Sequence, residues 1–173
     1  MYLITAYFDD NTTKHLTRLI NNIAKECKNT YMIDNNVPPH MTVSSFEIRD
    51  PYNLAEDFNK LKNIGAGNIN IISIGAFLPY VLYAAPVLNQ YLQSLAENTY
   101  EILSARNDVA ISKCYKPYQW LPHITLGKKL SKEEMQTAFK SMQLHFSPIA
   151  GKIVRLGLSD TNPHRDIAVV ELN

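Results

Sequence analysis

The chain has 173 residues, of which 46% are hydrophobic, and a formal net charge of +1 at pH 7. Its length suffices for one sizeable apolar core, so we expect a single domain over residues 1–173. The near-neutral charge argues against long duplex DNA as a partner. No apolar run reaches the roughly 18 residues of a membrane span, and the N-terminal stretch lacks the pattern of a secretory signal. We therefore expect a cytoplasmic monomer with no membrane partner.

Apolar runs bounded by turn residues predict strands in both halves of the chain. They cover residues 1–8, 41–48, 68–77, 80–84, 123–128, 154–158 and 166–172, the last joined through Asn162-Pro163. Apolar residues at three- and four-residue spacing predict helices between them. The four predicted helices run from about Asn11 to Cys27, from Asp50-Pro51 to Leu61, from Pro86 to Arg106 and from Ser131 to Met142. Ser131 and Glu134 form a capping box at the start of the last one. The two cysteines, Cys27 and Cys114, are expected to be buried free thiols.

The two halves repeat one unit: a strand, a long helix, a proline-containing loop, a strand, a helix and a further strand. This order predicts an α+β fold, bilobal and duplicated. We expect two mostly antiparallel sheets flanked by helices around a central cleft, with the two lobes related by pseudo-symmetry.

A repeated motif occupies equivalent positions of the two units. It reads Pro39-His40-Met41-Thr42-Val43 and Pro122-His123-Ile124-Thr125-Leu126, and 83 positions separate the histidines. Side chains alternate along a strand, so His and Thr two positions apart share a face. The motif therefore predicts that two imidazoles and two hydroxyls face one cleft.

Three other histidines lack this setting. His15-Leu16-Thr17 also has the His-x-Thr spacing, but in a predicted helix two positions turn about 200°, so these side chains diverge. We expect His15 to be a solvated helix residue. His145 and His164 have no motif, and we expect them at the surface or in turns.

Two histidines and two hydroxyls suit proton transfer at a phosphate ester. A neutral imidazole removes a proton from the nucleophile while an imidazolium protonates the leaving oxygen. The hydroxyls of Thr42 and Thr125 would hold the phosphate oxygens together with a lysine, for which Lys128 in the lysine-rich stretch 109–132 is the candidate.

Aromatic residues lie beside the motifs as candidates for stacking on a base. Trp120 and Tyr118 precede the second motif, and Tyr7 lies on the first predicted strand. Packing of Trp120 beneath its loop is an equal alternative.

The two motifs, the second continuing as Pro-His-Ile-Thr-Leu-Gly, resemble those of the 2H phosphoesterase superfamily. This superfamily includes bacterial 2′-5′ RNA ligase-like proteins and RNA 2′,3′-cyclic phosphodiesterases. The resemblance implies a bilobal duplicated fold and catalysis without a metal or other cofactor. It also implies that His40 and His123 act as acid and base and that Thr42 and Thr125 bind phosphate. Many members carry arginine where this chain has Lys128.

The residues are compatible with three alternative functions. The first is a phosphodiesterase acting on RNA or nucleotide 2′,3′-cyclic phosphates or 2′-5′ linkages. The second is a non-catalytic protein that binds an RNA end or a small nucleotide. The third is a metal-dependent hydrolase, for which the sequence offers no third ligand at suitable spacing.

Overall fold

The computed structural model describes residues 1–161 and 163–173, which form an α+β fold as expected. The helices are α1 (Asp10–Cys27), α2 (Tyr31–Asp34), α3 (Ala55–Asn59), α4 (Gln90–Ser104) and α5 (Lys132–His145). The strands are β1 (Tyr2–Phe8), β2 (Met41–Ile48), β3 (Gly67–Phe77), β4 (Val81–Pro86), β5 (Val109–Ile111), β6 (Ile124–Gly127), β7 (Ile149–Thr161) and β8 (His164–Glu171). Short 3-10 helices cover Pro51–Leu54, Lys60–Ile64 and Lys113–Tyr115.

Helices α1 and α5 pack against each other and follow their local sequence signals. The Asp9 carboxylate caps α1 by accepting a hydrogen bond from the N–H of Thr12 at 2.9 Å. Lys28 ends the helix in the left-handed region, with φ of 57°. Ser131 and Glu134 form the predicted capping box at the start of α5. Each helix buries the apolar side that its periodicity indicated.

The strands pair antiparallel in one 8-stranded sheet, in the order β1-β2-β6-β4-β3-β7-β8, with β5 beside β2. Strand β1 also pairs with β7, so six strands form a closed ring of neighbours. The two expected sheets are therefore hydrogen-bonded into one. One link is the pair Met41 and Ile124 between β2 and β6. The other is the long β7, whose first part pairs with β3 and whose later part pairs with β1.

Several boundaries differ from the prediction because tertiary pairing overrides local signals. Helix α4 begins at Gln90 and not at Pro86, since Pro86 pairs with Ile71 at the end of β4 and Asn89 caps the helix. The single helix expected after Asp50 is α3 between two 3-10 helices. Strand β5 and helix α2 were not predicted, because three or four residues are too short to show a period.

Strands β7 and β8 are longer than their alternating residues indicated. They pair with each other from Arg155 to Thr161, and β8 therefore begins at His164. The predicted joint at Asn162-Pro163 includes Asn162, which lies outside the described residues. The early start of β8 places His164 beside His40 of the first motif.

Both cysteines are free thiols, as expected. Cys27 is buried at the end of α1, but Cys114 is exposed, so its predicted burial is wrong. It lies in the short 3-10 helix Lys113–Tyr115, which has no buried residue. Among the residues that the structure describes, no helix is long and apolar enough to cross a bilayer.

Candidate active site

The two motif histidines have the same local geometry. Nδ1 of His40 lies 2.8 Å from the carbonyl oxygen of Pro38, and Nδ1 of His123 lies 2.9 Å from that of Leu121. A carbonyl oxygen only accepts, so Nδ1–H donates in both rings and the neutral imidazole keeps its lone pair on Nε2. Each acceptor precedes the proline of its motif, where the backbone is held extended. The proline therefore helps to fix the imidazole tautomer.

Strand pairing brings the two motifs together. Met41 and Ile124, the residues between His and Thr in each motif, are partners across β2 and β6 and are fully buried. Because the strands are antiparallel, each histidine lies on the side of the other motif's threonine. His40 and His123 themselves stand directly before β2 and β6, so the predicted start of the second strand at His123 is one residue early.

A cleft of about 500 Å³ lies over the paired motifs. Its polar lining includes five residues predicted from the sequence, namely His40, Thr42, His123, Thr125 and Lys128. Its apolar lining includes Tyr31, Met32, Val37, Phe77, Val81 and Tyr115. The cleft therefore combines proton-transfer groups and hydroxyls with an apolar wall.

Lys128 is exposed at the edge of the cleft. Its Nζ lies 5.9 Å from the centre of the Tyr31 ring, and Nζ of the adjacent Lys129 lies 4.7 Å from that centre. Both ammonium groups thus approach one aromatic face, but only Lys128 of the two lines the cleft.

The three aromatic residues predicted to stack on a base do not line the cleft. Trp120 is 8% exposed, and its Nε1–H donates to the carbonyl of Thr42 at 3.0 Å. This bond attaches the loop before the second motif to the strand of the first motif. Tyr118 is 89% exposed, with φ of 62°. Tyr7 is 4% exposed and its hydroxyl bonds to other side chains. Burial leaves no free ring face for a base on Trp120 or Tyr7, and for Trp120 the alternative of packing beneath its loop is the one observed. Stacking on the exposed Tyr118 stays a prediction.

His164 is a titratable cleft residue that the sequence did not indicate. Its ring stacks on that of His40, with 4.7 Å between centroids and 22° between planes. Its Nε2 lies 2.9 Å from the hydroxyl of Tyr7. The expectation of a surface or turn residue is wrong, because β8 begins at His164 and pairs it with Thr161 at the cleft edge. No local pattern marks this position.

A network of polar side chains lies behind His164. The Tyr7 hydroxyl donates to Oδ1 of Asp166 at 2.6 Å, and the Ser159 hydroxyl donates to the same oxygen at 2.7 Å. The Thr5 hydroxyl lies 2.8 Å from that of Ser159. Gly157 makes room for this network, because a Cβ there would overlap the Asp166 carboxylate and the Thr5 hydroxyl.

The two motif histidines meet different neighbours. The ring of His123 makes T-shaped contacts with Phe77 and Tyr83, at centroid distances of 4.8 and 5.5 Å. His123 thus has aromatic neighbours that do not take up a proton, whereas the neighbour of His40 is the imidazole of His164. The two histidines thus make matching backbone hydrogen bonds but have different side chains around them.

Burial lowers the pKa of all three cleft imidazoles. The pKa of His40 falls to about 4, mainly through burial and further through the neighbouring His164 and His123, while the Pro38 carbonyl acts in the opposite direction. Burial also lowers the pKa of His123, against its bond to Leu121. For His164, burial lowers the pKa and the Asp166 carboxylate opposes this. His40 is therefore an unprotonated imidazole at neutral pH.

The remaining histidines lie outside the cleft. His15 lies on α1 as expected but is half-buried there, so it is less exposed than predicted. Nε2 of His145 lies 2.9 Å from the Glu26 carboxylate at the surface, as expected for a surface residue. Among the described residues, no group of three or more His, Cys, Asp or Glu side chains is arranged to hold a metal ion.

The structural comparison establishes the class of fold. No protein-family model and no curated protein sequence matches this chain. A solved phosphoesterase superposes with a TM-score of 0.58 at 14% identity, covering 99% of this chain and 97% of that chain. Usb1 of Kluyveromyces marxianus, solved with uridine monophosphate, superposes with a TM-score of 0.44 at 10% identity, covering 98% of this chain and 97% of that one. The first likeness shows that this chain has the fold of that phosphoesterase, and it confirms the fold that the sequence resemblance implied.

Proposed function

We propose that this protein is a metal-independent phosphodiesterase of the 2H type. Its substrate class is RNA or nucleotide 2′,3′-cyclic phosphates or 2′-5′ linkages. The observation that carries the proposal is the pair His40 and His123, each with Nδ1 bound to a backbone carbonyl and Nε2 left for proton transfer, over one cleft. Two imidazoles held in the same way suit an in-line displacement between a base and an acid.

The proposed step begins with a water molecule between the phosphate and His40. Nε2 of His40 takes a proton from the water as its oxygen bonds to phosphorus. The bond from phosphorus to the ribose oxygen breaks on the opposite side, and Nε2–H of protonated His123 supplies the proton to that oxygen. The products are a phosphomonoester and a free ribose hydroxyl. The base is now protonated and the acid neutral, and exchange with solvent restores both.

The threonines and Lys128 have the complementary role of holding negative charge. Thr42 and Thr125 lie one residue beyond the paired Met41 and Ile124, so both hydroxyls belong to the same cleft. Their O–H groups would donate to the non-bridging oxygens, and Lys128 at the edge would offset the charge that develops there. The apolar wall that includes Tyr31 and Phe77 would cover the nucleoside.

The experiment is a turnover screen in the presence of a chelator. The purified protein is incubated with the four nucleoside 2′,3′-cyclic phosphates and with 2′-5′-linked dinucleotides, and products are separated by chromatography. We expect conversion of at least one substrate, with the chelator without effect. Binding of nucleotides without turnover would favour a non-catalytic binding protein. Activity lost with the chelator and restored by zinc would favour a metal-dependent hydrolase.

A further inference from the structure

The stacked rings of His40 and His164 form a coupled pair. Their centroids are 4.7 Å apart and their planes differ by 22°. Two imidazolium ions at this distance in a partly buried cleft repel each other, so the pair holds one proton far more readily than two. Among the described residues, the rings beside His123 are those of Phe77 and Tyr83, and no second imidazole stacks on it.

The Tyr7 hydroxyl determines how His164 is bonded. Its single hydrogen is donated to Oδ1 of Asp166 at 2.6 Å, so its oxygen accepts the Nε2–H of His164 at 2.9 Å. Nε2 of His164 therefore carries a hydrogen in the neutral ring as well as in the cation. A further proton goes to Nδ1, and the cation keeps its bond to Tyr7.

The charged groups around the pair come from several strands. Asp166 on β8 shares the Tyr7 hydroxyl with His164 and favours a cation there, and its charge acts in the same direction on His40. Arg155 on β7 lies with its guanidinium over the Tyr7 ring, 4.7 Å from the ring centre. His40 meets His123 across the cleft, which disfavours a cation on His40. The hydrogen bond from His40 to the Pro38 carbonyl acts against this and favours the cation.

We infer that His164 is a positioning residue that takes the first proton of the stacked pair and thereby adds to burial in keeping His40 unprotonated. The carboxylate behind Tyr7 favours a cation on His164, and stacking then disfavours a second one on His40. The consequence for catalysis rests on the proposed function. It makes His40 the general base and His123 the general acid, in a fold whose two motifs have the same backbone geometry.

The order of protonation tests this inference directly. The histidine rings of the full chain, labelled with ¹³C and ¹⁵N, are titrated by NMR from pH 8 to pH 3.5. We expect His164 to titrate at a higher pH than His40. Protonation of His40 first, or of both rings at one pH, would overturn the inference.

A variant separates the charge of His164 from its bulk. His164→Phe keeps an aromatic ring against His40 but cannot be protonated. We expect the titration midpoint of His40 to rise by about one pH unit, with that of His123 unchanged. The matched control is His145→Phe. His145 lies at the surface beside Glu26, so this variant should leave the midpoints of His40 and His123 unchanged. An unchanged or lower midpoint of His40 in His164→Phe contradicts the inference. If this variant does not fold, the order of protonation in the unaltered protein decides alone.

The titration needs no substrate, so it is independent of the turnover screen. A protein that cleaves no phosphodiester but protonates His164 first would refute the proposed function and leave the proton assignment standing. A protein that cleaves its substrate but protonates His40 first would refute only the assignment.

Discussion

The indole Nε1–H of Trp120 donates to the carbonyl of Thr42 across 78 residues of sequence. The loop before the second motif is thereby attached to the strand of the first motif. Trp120 is the single tryptophan of the chain, and its burial beneath the cleft makes it a support for both motifs. The bond also satisfies a carbonyl beside the Met41 and Ile124 pair.

Trp120→Phe should therefore weaken both stability and turnover. Phenylalanine retains most of the buried apolar surface but leaves the Thr42 carbonyl without its donor, at a cost of about 1–3 kcal/mol. Denaturant unfolding should show this loss, and kcat should fall because the motifs are less firmly positioned. Tyr118→Phe, on the same loop but exposed, is the control and should change neither quantity. A Trp120→Phe protein as stable as the unaltered one would contradict the role given to this bond.

The motif histidines should be required for chemistry and not for folding. His40→Gln and His123→Gln should each lower kcat by about 10²–10⁴-fold, the usual contribution of a positioned acid or base. His145→Gln, outside the cleft, is the matched control and should retain full activity. Circular dichroism confirms the fold of each variant. Near-normal turnover by either motif variant, on every substrate of the screen, would exclude the proposed mechanism.

The pH dependence of kcat/KM should be bell-shaped with an optimum on the acidic side of neutrality. The general base must be neutral, and the pKa of His40 is about 4, so activity should rise with pH through that value. The general acid must be protonated, and burial holds the pKa of His123 below its usual 6.5, so activity should fall before that pH is reached. Measurements of kcat/KM from pH 3.5 to pH 8 test both limbs. A rate still rising above pH 7 would be inconsistent with this assignment.

Acid should destabilise the folded protein through His40. In the unfolded chain this imidazole has its ordinary pKa near 6.5, whereas in the folded protein it is about 4. Between these values the unfolded chain binds a proton that the folded chain does not, so the free energy of unfolding falls as pH falls. The Tm should therefore decrease less steeply from pH 6.5 to pH 4 in His40→Gln than in the unaltered protein. Parallel curves of Tm against pH for the two proteins would show that His40 does not contribute to the loss of stability in acid.

Adjacent lysines offer a paired test of phosphate binding. Lys128 lines the cleft whereas Lys129 does not, although both approach Tyr31. Lys128→Met should raise KM about tenfold, the loss expected for one hydrogen bond to a charged group. Lys129→Met should leave KM close to its original value, and Lys128→Arg should retain most of the binding. Equal effects of the two methionine variants would remove the special role of Lys128.

The sequence by itself determined the features that depend on neighbours along the chain. The caps of α1 and α5 and the apolar face of each helix follow from residues within one or two turns. The Pro-His-x-Thr motif likewise predicted His40 and His123 as the candidate site residues. Both features on which the motif depends are local: the alternation of side chains along a strand and the extended backbone before a proline.

The tertiary structure decided what depends on residues far apart. The closure of the strands into one sheet required β7 to pair with both β1 and β3. The burial of Trp120 required the strand of Thr42, and the position of His164 against His40 required the β7–β8 hairpin. Side-chain contacts of this kind leave no period or motif in the sequence. The sequence thus identified two equivalent histidines, and the surroundings of each in the folded protein made them different.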